Sequence, residues 1–223
     1  MFLSVGAAER HCRHYFFYNA FRALKFNGID GDYAEFGVSG ANTFALADAE
    51  RTRHGLEMKL WAFDSFRGLP AANGSKDEHP EWVEGSMATS LDAFHRKCAR
   101  RGIERSSYET VVGFYEDSLS ERDGRRFPSN LALAYVDCDL HSSTTAVLAF
   151  LAPRLKHGMI VAFDDYFCWS AGQLSGERKA LLEFEAGARQ WHFQPFIQYG
   201  WGGMSFVIED RNLIPRSKDH AAA

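Results

Sequence analysis

Apolar and polar positions along the chain alternate between two patterns. Short strand-like runs recur at Tyr33 to Val38, Lys59 to Phe63, Glu109 to Gly113, Leu131 to Val136 and Met159 to Phe163, as expected of strands buried on both faces of a parallel sheet. Stretches with helical spacing lie between them. Phe17, Ala20, Phe21 and Leu24, followed by the stop Asn27-Gly28, predict an amphipathic helix ahead of the first strand. That helix is expected to cover the sheet edge or the ligand mouth. Thr89-x-x-Asp92 resembles a capping box opening Leu91, Phe94 and Cys98, and Ser142 or Ser143 is placed to cap Val147, Leu148, Leu151 and Leu155. Strands alternating with helices of this length imply right-handed βαβ units and a parallel sheet.

The rhythm breaks near the end. Trp191 to Tyr199 and Met204 to Glu209 are separated only by Gly200-Trp-Gly-Gly203, so these two strands should pair antiparallel. By analogy, a parallel sheet finished by a hairpin is the layout of the class I methyltransferase fold. The expected architecture is therefore α/β and Rossmann-like: a mostly parallel seven-stranded sheet, a C-terminal antiparallel hairpin and helices on both faces. The expected organisation is a helical segment over 1–30, one domain over 31–212 and a tail over 213–223. Arg67 to Ser86, with Pro70, Pro80 and Trp82, is a long irregular stretch of the kind that serves as a lid or binding loop.

Composition narrows the classes of function. A chain of 223 residues, 46% of them hydrophobic, suits one α/β domain with a large core. The net charge of -4 argues against nucleic acid as a partner, and Arg96-Lys97 with Arg100-Arg101 reads as a solvated helix face. No run approaches the ~18 to 20 consecutive apolar residues of a membrane span, and the first residues lack the basic flank of a signal peptide. A cytoplasmic protein with no membrane partner is expected. Cys12, Cys98, Cys138 and Cys168 share no CxxC spacing, which indicates neither a zinc cluster nor a disulfide framework.

The acidic strand ends carry the candidate chemistry. Asp137 closes one apolar run and Asp164-Asp165 closes another. Ligands of open α/β sheets sit outside the carboxyl ends of the strands, where three such oxygen donors can converge on a hard cation such as Mg²⁺. The alternative is that they are solvated loop-start residues. Upstream, Glu35-Phe-Gly37-Val-Ser-Gly40 lets the backbone turn tightly and approach a ligand, but Ser39 stands where a dinucleotide fingerprint needs its second glycine, which favours an adenosine-type ligand. Asp64, at the tip of the next strand, is placed to accept ribose hydroxyl protons; Asp64-Ser65 capping a helical turn is the structural alternative. Asp117 suits either an adenine amino group or an N-cap.

Together, Glu35-Phe-Gly-Val-Ser-Gly, Phe63-Asp-Ser-Phe-Arg-Gly-Leu-Pro, Gly113-Phe-Tyr-Glu-Asp-Ser-Leu, Val136-Asp-Cys-Asp-Leu-His-Ser-Ser-Thr and Ala162-Phe-Asp-Asp-Tyr resemble the macrocin O-methyltransferase family. The resemblance covers roughly Tyr33 to Phe167, about three-fifths of the chain. It implies S-adenosylmethionine- and Mg²⁺-dependent methylation of a hydroxyl on a sugar of a natural product. It further implies metal binding by Asp137, Asp164 and Asp165, and cofactor contacts from Glu35, Gly37, Val38, Ser39, Asp64 and Ser65, with Asp117 and Ser118 near the adenine. His141 stands where the family commonly carries Tyr. Asp137 and His141 are the candidate bases, an early helical histidine being otherwise a capping or solvent-facing residue, and Asp139 is expected to be structural. Trp82, Tyr166, Trp169 and Trp201 are candidates for a flat acceptor wall. The rival readings are a catechol or other phenolic acceptor and a non-methylating S-adenosylmethionine-binding protein. A homo-oligomer is compatible with the sequence.

Overall fold

The computed structural model describes residues 4–120 and 126–213; the expected tail beyond 213 lies outside them. Seven strands form one sheet: β1 (Asp32–Phe36), β2 (Leu60–Asp64), β3 (Tyr108–Val112), β4 (Leu131–Val136), β5 (Ile160–Phe163), β6 (Trp191–Tyr199) and β7 (Gly203–Asp210). Their order is β3-β2-β1-β4-β5-β7-β6. Strands β1 to β5 pair parallel, and β7 lies antiparallel to both β5 and β6. This is the expected layout, with the strand order reversing between β1 and β4. Loops leaving β1 and β4 on either side of such a reversal open a crevice at the carboxyl ends.

Alternate strand residues feed two separate cores, which is why the runs lack polar alternation. Tyr33, Leu60, Ala62, Leu133 and Tyr135 belong to one face with Phe17, Phe21, Phe44 and Phe94. Phe36, Phe63, Ala134, Val136 and Phe163 belong to the other with Val147, Leu151 and Leu181. Helix α1 (Val5–Asn27) ends at Gly28, whose φ of 67° makes a left-handed C-cap. It crosses the first face: Phe16 stacks on Tyr199 of the edge strand and Phe17 on Tyr135, while Arg13 reaches the mouth.

Helices α2 (Asn42–His54), α3 (Leu91–Arg100), α4 (Tyr115–Ser118), α5 (His141–Leu151) and α6 (Gly176–Gly187) complete the chain. Two expected caps are differently made. Ser90, not Thr89, caps α3 by accepting from the Ala93 amide. Neither Ser142 nor Ser143 caps α5, because both lie inside its first turn. The free Ser142 amide donates instead to Asp77 Oδ1 at 2.8 Å, and Ser142 Oγ donates to Asp77 Oδ2 at 2.8 Å. Asp77 comes from the long irregular stretch and is buried. A carboxylate at a helix N-terminus is favoured by the exposed amides and the helix dipole, so this contact docks the loop on the domain. Among the described residues no helix is long and apolar enough to cross a membrane.

Candidate active site at the strand ends

The cleft begins where β1 turns into α2. Gly37 takes φ +93°, and its amide donates to the Phe63 carbonyl at 2.8 Å. A Cβ at this position would lie 1.8 Å from the Asp137 carbonyl oxygen, so only glycine lets the ends of β1 and β4 close to this distance. Asp64 ends β2 and accepts from two amides, Val38 at 2.8 Å and Phe66 at 2.6 Å. These bonds fix the turn and leave the carboxylate's remaining lone pairs towards the cleft. The cleft, about 620 Å³ with its open mouth, is lined by Gly37, Ser39, Asp64, Ser65, Gly113 and Tyr115, by Leu69, Pro70 and Met87 of the long loop and its end, and by Asp137 and Asp139.

Not every expected cofactor residue reaches this cleft. Glu35 is fully buried, accepting from Thr43 Oγ1 at 2.6 Å and from the Tyr33 hydroxyl. It ties β1 to the first turn of α2, and burial raises its pKa to about 8. Val38 contributes its amide to Asp64 and buries its side chain. Asp117 is exposed, and Ser118 Oγ donates back to the Gly113 carbonyl at 3.1 Å. The wall beside them is built from Gly113, Phe114 and Tyr115.

At the far end of the cleft, carboxylate oxygens of Asp137, Asp139 and Asp165 lie within 4.8 Å of one another. Asp164 faces the other way. Its carboxylate accepts from Arg13 Nε at 3.1 Å, Arg13 Nη2 at 2.5 Å and the Tyr135 hydroxyl at 2.5 Å. Asp139, expected to be structural, takes the third place through a left-handed φ of +58°, a conformation Asp tolerates better than most residues. Asp137, Asp139 and Asp165 form no ion pair among the described residues. Burial followed by the charge of Asp164 raises the Asp137 pKa well above the carboxylate range; burial and Asp165 do the same to Asp139. Burial and Asp164 push Asp165 up to about 6. An all-oxygen donor set that repels its own charge suits a hard divalent cation such as Mg²⁺. The residues present therefore fit the implied metal.

Asp164 and Asp165 also line a second hollow of about 250 Å³ with Glu9, Arg13, Tyr199 and Trp201. The acidic cluster thus stands between two spaces. Of the aromatic candidates, Trp201 borders this hollow and is 66% exposed, and Trp82 lies against Gly176. Tyr166 and Trp169 instead enclose the Arg178 guanidinium, at 5.3 and 5.1 Å. His141 does not line the cleft; its Nε2 lies 2.8 Å from Glu183. Sequence reasoning missed Glu177, a buried acid at the start of α6 whose oxygens accept from the Cys138 and Asp165 amides. Ser175 followed by Ala180, Leu181 and Phe184 was the available signal for its helix.

The sequence profile of the macrocin O-methyltransferase (TylF) family matches residues 11–186. A tetracenomycin-type 4'-O-methyltransferase from Streptomyces olivaceus, acting on a dimethoxyrhamnosyl derivative by its name, is 30% identical over 146 residues, 63% of this chain and 54% of the relative. Demethyldecarbamoylnovobiocin O-methyltransferase from Streptomyces niveus is 25% identical over the same shares. The chain therefore spans about half the length of the curated relatives it matches. The solved O-methyltransferase NovP superposes with a TM-score of 0.76 at 21% identity, covering 90% of this chain and 80% of that one.

Proposed function

From the premise that the chain belongs to the macrocin O-methyltransferase family, we propose that it methylates a sugar hydroxyl of a natural product, using S-adenosylmethionine and a divalent cation. One observation carries this reading: Asp137 and Asp139 line the same cleft as Gly37, Ser39 and Asp64, while Asp165 lines the hollow on the other side. Carboxylates shared between two spaces suit a donor in one and an acceptor in the other. A phenolic acceptor needs less help to ionise and gives such a cluster less to do.

When bound, S-adenosylmethionine supplies an electrophilic methyl group and the cation supplies positive charge that makes an acceptor hydroxyl more acidic. The chain's residues do the rest. Asp64 accepts ribose hydroxyl protons, and the Gly37 turn gives the backbone room to approach the amino-acid end of the donor. Leu69, Pro70, Met87 and Tyr115 form apolar walls that exclude water. Asp137, Asp139 and Asp165 hold the cation, with Asp164 retained by Arg13 and Tyr135. Glu9, Arg13 and Trp201 orient the acceptor, since a polar pair beside an aromatic plane suits a hydroxylated ring. Asp137, which lines the cleft beside the donor turn, is the carboxylate that would take up the acceptor hydroxyl proton.

The test is formation of S-adenosylhomocysteine and a methylated product with a rhamnosylated aglycone, compared with the free aglycone and a catechol. Turnover on the glycoside alone, lost with EDTA and restored by Mg²⁺, is expected. Methylation of the catechol in preference to the glycoside, or full turnover in EDTA, would overturn the acceptor or the cation respectively.

A further inference from the structure

One buried carboxylate has no place in the chemistry above. Glu177, the second residue of α6, is fully buried. Its Oε1 accepts from the Cys138 amide at 3.1 Å and its Oε2 from the Asp165 amide at 2.9 Å. Cys138 lies between Asp137 and Asp139, and Asp165 is the third member of the cluster. The β4–β5 ladder ends at Val136 and Phe163, and one further bond joins the Asp164 amide to the Val136 carbonyl. Past that point, among the described residues, the Glu177 side chain bridges the two loops by hydrogen bonds. Gly176 delivers it with φ +62°, where a Cβ would lie 2.4 Å from the Trp82 ring and 2.9 Å from the Asp139 carbonyl oxygen.

A fourth acid beside three others costs free energy through like-charge repulsion and lost hydration. An apolar residue would fill the same space without that cost, but it would leave two buried amides without acceptors. We propose that Glu177 is a positioning residue, which sets the separation of Asp137 and Asp139 from Asp165 and keeps the carboxylate site preformed for a divalent cation. The proposal rests on the cation-dependent reading above. It assigns Glu177 no contact with cation, donor or acceptor.

The experiment is titration of Mn²⁺ and, separately, S-adenosylhomocysteine into the wild-type protein, Glu177→Gln and Glu177→Asp. Outer partners that orient metal ligands are typically worth 10- to 100-fold in affinity. Glu177→Gln turns one acceptor into a donor that faces an amide, and Glu177→Asp keeps the carboxyl group but is one methylene too short to span both loops. Both should weaken Mn²⁺ by about 10- to 100-fold. S-adenosylhomocysteine affinity should fall several-fold less than Mn²⁺ affinity, because the cleft is also built from Gly37, Ser39, Asp64 and Ser65, which Glu177 does not touch. Activity should return at saturating metal, with an elevated half-saturating concentration. Unchanged Mn²⁺ affinity in both variants would overturn the proposal, as would full affinity in Glu177→Asp, which would leave only a charge effect. No Mn²⁺ binding by the wild type would overturn the cation reading itself. Hydrogen exchange on the wild-type protein needs no variant: the Cys138 and Asp165 amides should be protected before cation is added, and protection that appears only with cation would refute preformation.

Discussion

Replacing Gly37 by Ala tests the joint between the donor turn and the acidic cluster. The residue sits at φ +93° and an added Cβ falls 1.8 Å from the Asp137 carbonyl oxygen. A left-handed conformation costs an L-residue about 1–2 kcal/mol. Backbone contact at that distance cannot be relieved by a rotamer, so β1 and β4 must separate; overpacking of this kind costs about 1–3 kcal/mol. The sum, roughly 2–5 kcal/mol, lowers the melting temperature of a domain this size by about 4–20 °C. Gly55 is the internal control, with φ +58° and nothing within 4 Å of an added Cβ. Gly55→Ala should lose only the conformational part, about 1–2 kcal/mol. Denaturant titration gives both values, and calorimetry with S-adenosylhomocysteine gives the consequence for the cleft. Gly37→Ala should lose ten-fold or more in affinity while Gly55→Ala is unchanged. Equal stability and equal affinity in the two variants would refute the claim that this close approach builds the site.

Three further outcomes are expected. His141→Ala should leave turnover within two-fold and its pH profile unaltered, because His141 faces Glu183 and not the cleft; a steep loss of turnover would return it to the chemistry. Mn²⁺ affinity should fall as pH drops from about 8 to about 5, because burial and the neighbouring carboxylates raise the proton affinity of Asp137, Asp139 and Asp165 together and protons compete with the cation for them; a flat profile over that window in calorimetry would contradict this. Glu35, raised by burial to about 8, is protonated in the folded protein at pH values where the unfolded chain has released its proton. Stability should therefore decline as pH rises from about 4.5 to 8, and Glu35→Gln should flatten that decline in denaturant titrations. A wild-type curve that rises through this window would contradict the assignment.

The strands were legible because burial on both faces removes polar alternation, and Leu131 to Val136 is apolar at every position. The antiparallel end was legible from connection length alone: a glycine-rich turn between two strands leaves no room for a crossover. Gly37 and Asp64 were legible as cleft residues because a tight turn at a strand end demands a residue that takes positive φ and a carboxylate to accept from the turn amides. Side-chain direction at the strand ends was not. Adjacent aspartates 164 and 165 point to opposite partners, and Arg13, which holds Asp164, is 151 residues away in sequence. Nothing local distinguishes Asp139 as a member of the cluster, since its left-handed backbone arises where β4 feeds α5. Asp77 and Glu177 stayed hidden for the same reason. A charged residue in a loop or a first helical turn reads as solvated until tertiary packing buries it against amides that lack partners.

The central claim is that carboxylates from the ends of β4 and β5 hold one divalent cation beside the methyl donor. Anomalous diffraction from crystals grown with Mn²⁺ and S-adenosylhomocysteine tests it most directly. The account predicts a single manganese peak coordinated by Asp137, Asp139 and Asp165, next to the sulfur, with Arg13 still on Asp164. Occupied donor density with no manganese at the cluster, or manganese held by Asp164 after displacement of Arg13, would contradict it.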